Sequence, residues 1–124
     1  MTFKLCVGRY AICRLEAAAG LPSWAASGLF SSITRTPEEL SIICEAARVP
    51  VEVKAEKGYC ALQVVGPLDF EAVGIMESFL APLAKARIPI FAVSTYDTDW
   101  ILVHEKHLER AVSALAEAGH QQSR

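Results

Sequence analysis

The sequence predicts an α+β protein built from two short repeats with antiparallel sheets. Its 124 residues, of which 52% are hydrophobic and 21% charged, suit one compact unit. The first half is rich in short apolar runs of strand character, whereas apolar residues in the second half also recur at helical spacing. Residues 32–36 and residues 94–98 share Ser and Thr at matching positions, and an apolar run follows each after a short acidic turn. This shared pattern indicates a degenerate duplication.

The first half predicts strands joined by short turns. Two strands in "FKLCVGRYAICRLE" are expected to form a hairpin at Gly8-Arg9, and the loop "AAAGLPSWAASG" follows them. The stretch "GLFSSITRTPEELSIIC" predicts a strand, a turn and a second strand, after which there is room for a short helix. The runs "VPVEVK" and "YCALQVV" are predicted to be two further strands joined by a charged Glu-Lys-Gly turn.

The second half predicts two amphipathic helices. Asp69 is placed as the N-cap of the first, and Pro82 is expected to bend that helix near Ser78, because proline lacks an N–H group. The second helix is expected to stop at Gly119. The apolar faces of the two helices are formed by Val73, Met76, Leu80 and Leu83 in residues 70–87, and by Leu108, Ala111, Val112 and Leu115.

The strands "IPIFAVST" and "WILVHEK" are predicted between the helices, and the last residues, "HQQSR", are too polar for a core strand. Each repeat is therefore β-α-β-β-α-β in outline, which is a ferredoxin-like pattern. The first repeat is helix-poor, and the second lacks a final strand that an N-terminal strand is expected to supply. We assign the first repeat to residues 1–58 and the second to residues 59–124, with strands shared between them in one compact unit.

Composition and charge argue against several classes of partner. The net charge is −2 and no cluster of Lys and Arg is present, so we do not expect nucleic-acid binding. No apolar run approaches the roughly 20 residues of a membrane span, and Arg9 interrupts the first apolar run before it could serve as a signal peptide. The four cysteines lack CxxC spacing and lie in apolar runs, so we expect reduced, buried thiols in a cytoplasmic protein.

Signals for catalysis and for metals are weak, and we expect neither an enzyme nor a cofactor. Asp residues are favoured in caps and tight turns for backbone hydrogen bonding, so the three Asp residues do not by themselves indicate acid/base chemistry. Ser94 and His104 lack the GxSxG elbow of a nucleophilic serine. His104 and His107 straddle a strand-to-helix boundary without a third metal ligand nearby. No phosphate-binding glycine motif is present.

Small-molecule binding is better supported by the residues. A helix that begins after "VVGPLDF" offers free N–H groups that can receive a carboxylate. Asp97 or Asp99 can hold an ammonium group, and Gly74 allows close approach of another backbone. Together these features describe a site for an amino-acid zwitterion. In the alternative interpretation, these residues have structural roles only: Asp69 caps the helix, Gly74 allows close packing, and Asp97 and Asp99 shape a turn.

The strings "SITRTPEELSII", "GPLDFEAVGI" and "IPIFAVSTYDTDWILV" resemble small bacterial proteins built from two ACT-like domains, a family related to cytosolic arginine sensors and to aspartate kinase regulatory domains. The resemblance covers almost the whole chain. It implies a regulatory module that binds an amino acid or a related metabolite, usually at an interface between two ACT units. Carried over by position, it implies these ligand-facing residues: Gly66, Pro67, Leu68, Asp69, Gly74, Ile75, Ser94, Thr95, Tyr96, Asp97 and Asp99.

The first repeat departs from this pattern, since Arg35 is aligned with Asp97 and the glycine-bearing helix start has no clear match. We expect a homodimer, because short repeats leave strand edges that need cover. The output of binding is expected to come from a partner protein or a neighbouring subunit. The competing hypothesis is a dimeric scaffold that keeps the fold and has lost the ligand.

Overall fold

A computed structural model describes residues 1–123. They form two compact units: the first unit is Gly8–Tyr59, and the second unit is Met1–Val7 together with the residues from Cys60 onward. The predicted α+β class with antiparallel sheets is confirmed. In chain order the described elements are strands β1 (Thr2–Leu5), β2 (Tyr10–Leu15), β3 (Ser32–Arg35), β4 (Leu40–Glu45) and β5 (Lys54–Val64), helix α1 (Ile75–Lys85), strands β6 (Ile90–Ser94) and β7 (Asp99–His104), helix α2 (Leu108–Glu117) and strand β8 (Gln121–Ser123).

The first unit is an antiparallel sheet in the order β3, β4, β2 and the first part of β5. Its described helical structure is one 3₁₀ turn, Ala46–Arg48, so the prediction of a helix-poor first repeat is confirmed. The core cluster of this unit lies on one face of its strands and contains Ala11, Cys13, Leu40, Ile42 and Cys44, whereas Tyr10 and Ile43 are buried on the other face.

The second unit runs from the last part of β5 through α1, β6, β7 and α2 to β8, which is the predicted β-α-β-β-α-β order. Strand β1 pairs antiparallel with β5 and parallel with β8, so it lies between the first and last strands of this pattern. The predicted contribution of an N-terminal strand to this repeat is therefore confirmed, but the prediction that the repeat lacks a final strand is wrong, because β8 is that strand. The polar tail forms no core strand, but Gln121–Ser123 forms a short strand at the sheet edge, where one paired side suffices and the side chains of both glutamines stay exposed.

The core of the second unit lies between the sheet and the two helices. Alternate residues of β5 and β7 point to this side, and each helix contributes residues four positions apart, which share a face. Burial of each large aliphatic side chain stabilises the fold by about 1.5–3 kcal/mol. The main contributors are Phe3, Leu62, Val64, Phe79, Leu83, Ile101, Val103, Ala111 and Leu115.

Two predicted strand connections are wrong. Strands β1 and β2 do not form a hairpin, since each pairs with a different stretch of β5. The predicted turn at Glu56-Lys57-Gly58 is also wrong, because β5 continues through these residues. The chain turns earlier instead, where the N–H of Val53 donates to the carbonyl of Pro50 at 3.2 Å. The charged pair Glu56 and Lys57 is typical of a turn, but a strand also tolerates such residues on an exposed face.

Helix α1 starts later than predicted. Its N-cap is Gly74, which has a left-handed φ of 79°, and not Asp69. Asp69 instead accepts a hydrogen bond from the N–H of Glu71 at 2.9 Å. This is the local bond that Asp commonly makes to the backbone two residues on, and it competes with the helix for the same N–H groups. The segment between β5 and α1 is consequently a loop, entered through a cis Gly66–Pro67 peptide bond.

Pro82 lies inside α1 and leaves the carbonyl of Ser78 without its usual helical donor. Nε2 of His120 lies 2.9 Å from this carbonyl oxygen and must carry the hydrogen, because a carbonyl only accepts. The His120 ring is 7% exposed and stacks on Phe79 with ring centroids 3.9 Å apart. The tail therefore replaces the hydrogen bond that the proline removes from α1.

The four cysteines are free, as predicted, and three of them are buried. Burial, the largest cause, and the neighbouring Cys44 raise the pKa of Cys13 to about 11, which keeps this thiol protonated and unreactive. Within residues 1–123, neither helix has the length and apolar character needed to cross a membrane.

Candidate functional site

A cleft of about 400 Å³ lies in the second unit between two walls. One wall is the loop after β5 together with the first turn of α1. The other is the acidic turn, residues 94–99, which joins β6 to β7. The lining residues are Leu68, Asp69, Phe70, Ala72, Gly74, Ile75, Met76, Glu77, Ser94, Thr95, Tyr96, Asp97, Thr98 and Asp99.

The acidic turn is held in shape by its own hydroxyl groups. The N–H of Thr95 donates to the carbonyl of Thr98 at 2.8 Å, and the N–H of Thr98 donates to Oγ1 of Thr95 at 3.3 Å. Ser94 and Asp99 are directly opposite each other in the β6–β7 pair, and Oγ of Ser94 donates to Oδ1 of Asp99 at 2.7 Å. The Asp99 carboxylate is therefore oriented, and a carboxylate has further acceptor positions for a ligand.

Two contacts anchor this turn to the rest of the unit. Thr98 is 4% exposed, and its hydroxyl donates to the carbonyl of Val64 at 2.6 Å. The N–H of Leu68 donates to the carbonyl of Asp97 at 2.7 Å and so ties the two walls together at the base of the cleft. Gly66 supports this junction, because a Cβ there would lie 3.0 Å from the Asp97 carbonyl oxygen and 3.1 Å from Cβ of Thr98. A larger residue would push the turn away.

The cleft is negatively charged. Asp69, Glu77, Asp97 and Asp99 contribute four carboxylates, and the described residues that line the cleft include no Lys, Arg or His. In the described lining, positive character comes from the first N–H groups of α1, which have no acceptor within the helix and carry the positive end of its dipole. The cleft therefore combines one place for an anionic group with several acceptors for a cationic group.

Two large aromatic side chains stand at the rim of the cleft. Phe70 and Tyr96 come from opposite walls, and their ring centroids are 4.6 Å apart. They are 75% and 78% exposed, respectively, although they touch each other. Rings of this kind can cover a bound molecule and attract a cation through their π faces.

The structure brings together most of the predicted site residues. Nine of the eleven line the cleft: Leu68, Asp69, Gly74, Ile75, Ser94, Thr95, Tyr96, Asp97 and Asp99. Gly66 and Pro67 do not line it, and Gly66 lies instead against the Asp97 carbonyl and Thr98. Sequence reasoning missed Phe70, Ala72, Met76, Glu77 and Thr98, which also line it. Met76 and Glu77 were missed because the predicted start of α1 lies too early in the chain. That start places both residues in the interior of the helix and not in its first turn. The binding role of these residues stays a prediction.

The weaker chemical candidates are not assembled. His104 lies at the far end of β7 from Asp99, and Ser94 bonds to Asp99, so Ser94 and His104 do not form a nucleophile–base pair. The ring of His107 lies 3.2 Å from the Arg110 guanidinium, and partial desolvation together with this neighbouring charge lowers the pKa of His107. Across residues 1–123, no group of three His, Cys, Asp or Glu side chains is placed to hold a metal ion.

Comparisons with known protein families agree with this architecture. A family model described as the ACT domain matches residues 54–117, and a model of an N-terminal domain matches residues 8–52. The human cytosolic arginine sensor for mTORC1, subunit 1, is 30% identical over 105 residues, which cover 71% of this chain and 30% of the sensor. The chain thus spans less than a third of the length of that curated relative.

Comparisons with solved structures lead to the same fold. A protein from Agrobacterium tumefaciens matches with a TM-score of 0.94 and 42% identity over 98% of this chain and 91% of its own. The regulatory subunit of aspartate kinase from Thermus thermophilus matches with a TM-score of 0.62 and 12% identity, over 94% of this chain and 97% of its own. The resemblance inferred from the sequence strings is confirmed by these matches.

Proposed function

The chain belongs to the ACT domain family, and we propose that it is a regulatory sensor whose second unit binds a free amino acid in the cleft. The observation that carries this proposal is the lining of the cleft, which sets four carboxylates beside the amino end of α1. A ligand with both an anionic and a cationic group matches this arrangement. The chain itself performs no turnover in this proposal, and a partner protein or a second subunit supplies the output.

The charge of the lining selects among the amino acids. The α-carboxylate is placed at the first N–H groups of α1, and the α-ammonium group and a cationic side chain are placed against Asp97 and Asp99. Amino acids with acidic side chains are disfavoured, because they would add a negative charge to a cleft that holds no basic side chain among the described residues. Basic amino acids are therefore our first candidates. Arginine leads, since the human relative is named an arginine sensor.

The cleft is completed by a second copy of the chain in this proposal. Phe70 and Tyr96 leave much of their surface exposed at the rim, and a second ACT unit can cover them while it closes the ligand. A homodimer also gives cover to the edge strand β6, which pairs only with β7 in the described part of the chain. We place this role in the cytoplasm, in keeping with four free cysteines, which persist in reducing compartments.

A thermal-shift panel of the twenty amino acids tests the proposal. A ligand that binds only the folded state at a hundredfold excess over its Kd adds about 2.7 kcal/mol, which is roughly 10 °C in Tm for a chain of this size. We expect arginine or lysine to raise the Tm and aspartate and glutamate to leave it unchanged. If no amino acid raises the Tm, the competing hypothesis of a scaffold without a ligand takes its place.

A further inference from the structure

The two units contain the same hydrogen-bonded turn. In the first unit the N–H of Thr36 donates to the carbonyl of Glu39 at 2.9 Å, and the N–H of Glu39 donates to Oγ1 of Thr36 at 3.1 Å. Thr95 and Thr98 make the equivalent pair of bonds in the second unit. Each turn joins two paired antiparallel strands. Thr36 is therefore the structural counterpart of Thr95.

This correspondence corrects the alignment drawn from the sequence, in which Arg35 matched Asp97. Arg35 is the last residue of β3 and pairs with Leu40, just as Ser94 is the last residue of β6 and pairs with Asp99. Arg35 is thus the counterpart of Ser94, whose side chain lines the cleft. The position that holds Ser94 at the start of the acidic turn in the second unit therefore holds an arginine in the first unit.

The neighbouring carbonyl groups confirm that the two turns have equivalent surroundings. In the second unit the Asp97 carbonyl accepts from the backbone N–H of Leu68 at 2.7 Å. Its counterpart in the first unit is the Glu38 carbonyl, which accepts from Nη2 of Arg14 at 2.9 Å. An arginine side chain therefore makes the contact in the first unit that the loop backbone makes in the second.

The Arg35 guanidinium reaches from its turn to the segment that follows β2. It donates to the carbonyl of Ala17 and, at 2.8 Å, to the carbonyl of Ala19. Both carbonyls belong to the segment that follows β2, and the segment that follows β5 forms the second wall of the cleft. We infer that Arg35 is a built-in occupant of the first unit's counterpart of the cleft. Within the described residues, the cleft of the second unit is then open, and its counterpart in the first unit is occupied by the Arg35 side chain.

Amide hydrogen exchange on the full chain tests this inference without any amino-acid ligand. Ala19 donates to the carbonyl of Glu16 at 3.0 Å, so its amide reports on the segment that Arg35 holds. Arg35→Ala is expected to speed exchange in residues 16–20 by about tenfold, since it removes two charge-assisted hydrogen bonds. Arg48→Ala is the matched control, because it removes another exposed arginine of the first unit. It should leave exchange in residues 16–20 unchanged.

Chemical rescue separates an occupied site from a simple tether. Millimolar ethylguanidinium should restore slow exchange in residues 16–20 of the Arg35→Ala protein, whereas equimolar ethylammonium should not, because it lacks the planar fork of donors. Unchanged exchange in Arg35→Ala overturns the inference, and so does faster exchange that ethylguanidinium fails to reverse. Neither result depends on whether the second unit binds an amino acid, so failure here and failure of the proposed function are distinguishable.

Discussion

Thr98 is the residue that fixes the acidic turn in place. Its hydroxyl donates to the Val64 carbonyl at 2.6 Å, and it is buried although its neighbours Asp97 and Tyr96 are exposed. One buried hydroxyl thus connects a polar, solvent-facing turn to the central strand β5. This contact holds the acidic turn, which lines the cleft, against β5.

Thr98→Val is predicted to destabilise the protein by about 1–3 kcal/mol, because the new side chain has nearly the same shape but leaves the buried Val64 carbonyl without its donor. Urea unfolding measures the loss. Thr34→Val is the control, since Thr34 lies on an exposed face of β3 and should change stability by less than about 0.5 kcal/mol. Equal stability of the two variants would contradict the anchoring role of Thr98.

Helix α1 depends on a hydrogen bond from outside the helix. Pro82 removes the donor for the Ser78 carbonyl, and His120 supplies another at 2.9 Å while it packs against Phe79. This contact ties the helix that forms one wall of the cleft to the residue just before β8. The order of α1 is therefore linked to the docking of the carboxyl-terminal segment.

A double-mutant cycle between His120 and Pro82 tests this link. His120→Phe keeps a ring against Phe79 but leaves the Ser78 carbonyl unpaired, so we predict a loss of about 1–3 kcal/mol. Pro82→Ala restores the N–H that the Ser78 carbonyl lacks, and in that background His120→Phe should cost about 1 kcal/mol less. Additive effects of the two substitutions on unfolding in urea would show that the two groups do not share this carbonyl.

At the level of elements, periodicity predicted most of the fold, and local competition explains the failures. The second helix ends as expected, with Gly119 at a left-handed φ of 97°. The predicted start of α1 is too early because Asp69 accepts a hydrogen bond within its own loop. The spacing of apolar residues contains no information about such a local hydrogen bond. The sequence predicted that an N-terminal strand joins the second repeat, but not which strands β1 pairs with. Pairing between strands far apart in the chain leaves no local pattern in the sequence. The carboxylates of the cleft were found because an excess of polar groups in a turn is visible in the sequence, whereas Glu77 looked like an ordinary helix residue.

At the level of the whole molecule, the two units differ: the second contains the cleft, and in the first we infer that the Arg35 side chain occupies the equivalent place. The first unit has a 3₁₀ turn as its described helical structure and therefore lacks the helix end that would receive a carboxylate. The second unit has kept the helix, the glycine N-cap and the acidic turn. In the proposed function, this difference leaves the second unit as the ligand-binding unit of the chain.

The proposed homodimer is tested by sedimentation equilibrium at tens of micromolar. We predict a dimer for the wild type and a shift toward monomer for Ala92→Lys, because Ala92 is an exposed residue of the edge strand β6 and a lysine there opposes edge-to-edge pairing. Lys85→Ala, on the exposed end of α1, is the control and should remain dimeric. A wild-type chain that sediments as a monomer would contradict this assembly.

The central claim, that the acidic turn binds the cationic groups of an amino acid, is tested most directly by calorimetric titration of arginine into matched variants. Asp99→Asn is predicted to weaken binding by roughly tenfold to more than a hundredfold, the equivalent of about 1.5–3 kcal/mol for a lost charge-assisted hydrogen bond. Asp97→Asn should weaken binding less, because Asp97 is exposed at the apex whereas Asp99 is oriented by Ser94. Glu52→Gln, which removes an exposed carboxylate of the first unit, should bind as the wild type does. Equal affinity of the wild type and both Asp variants, with their melting temperatures unchanged, would mean that the acidic turn is only a turn.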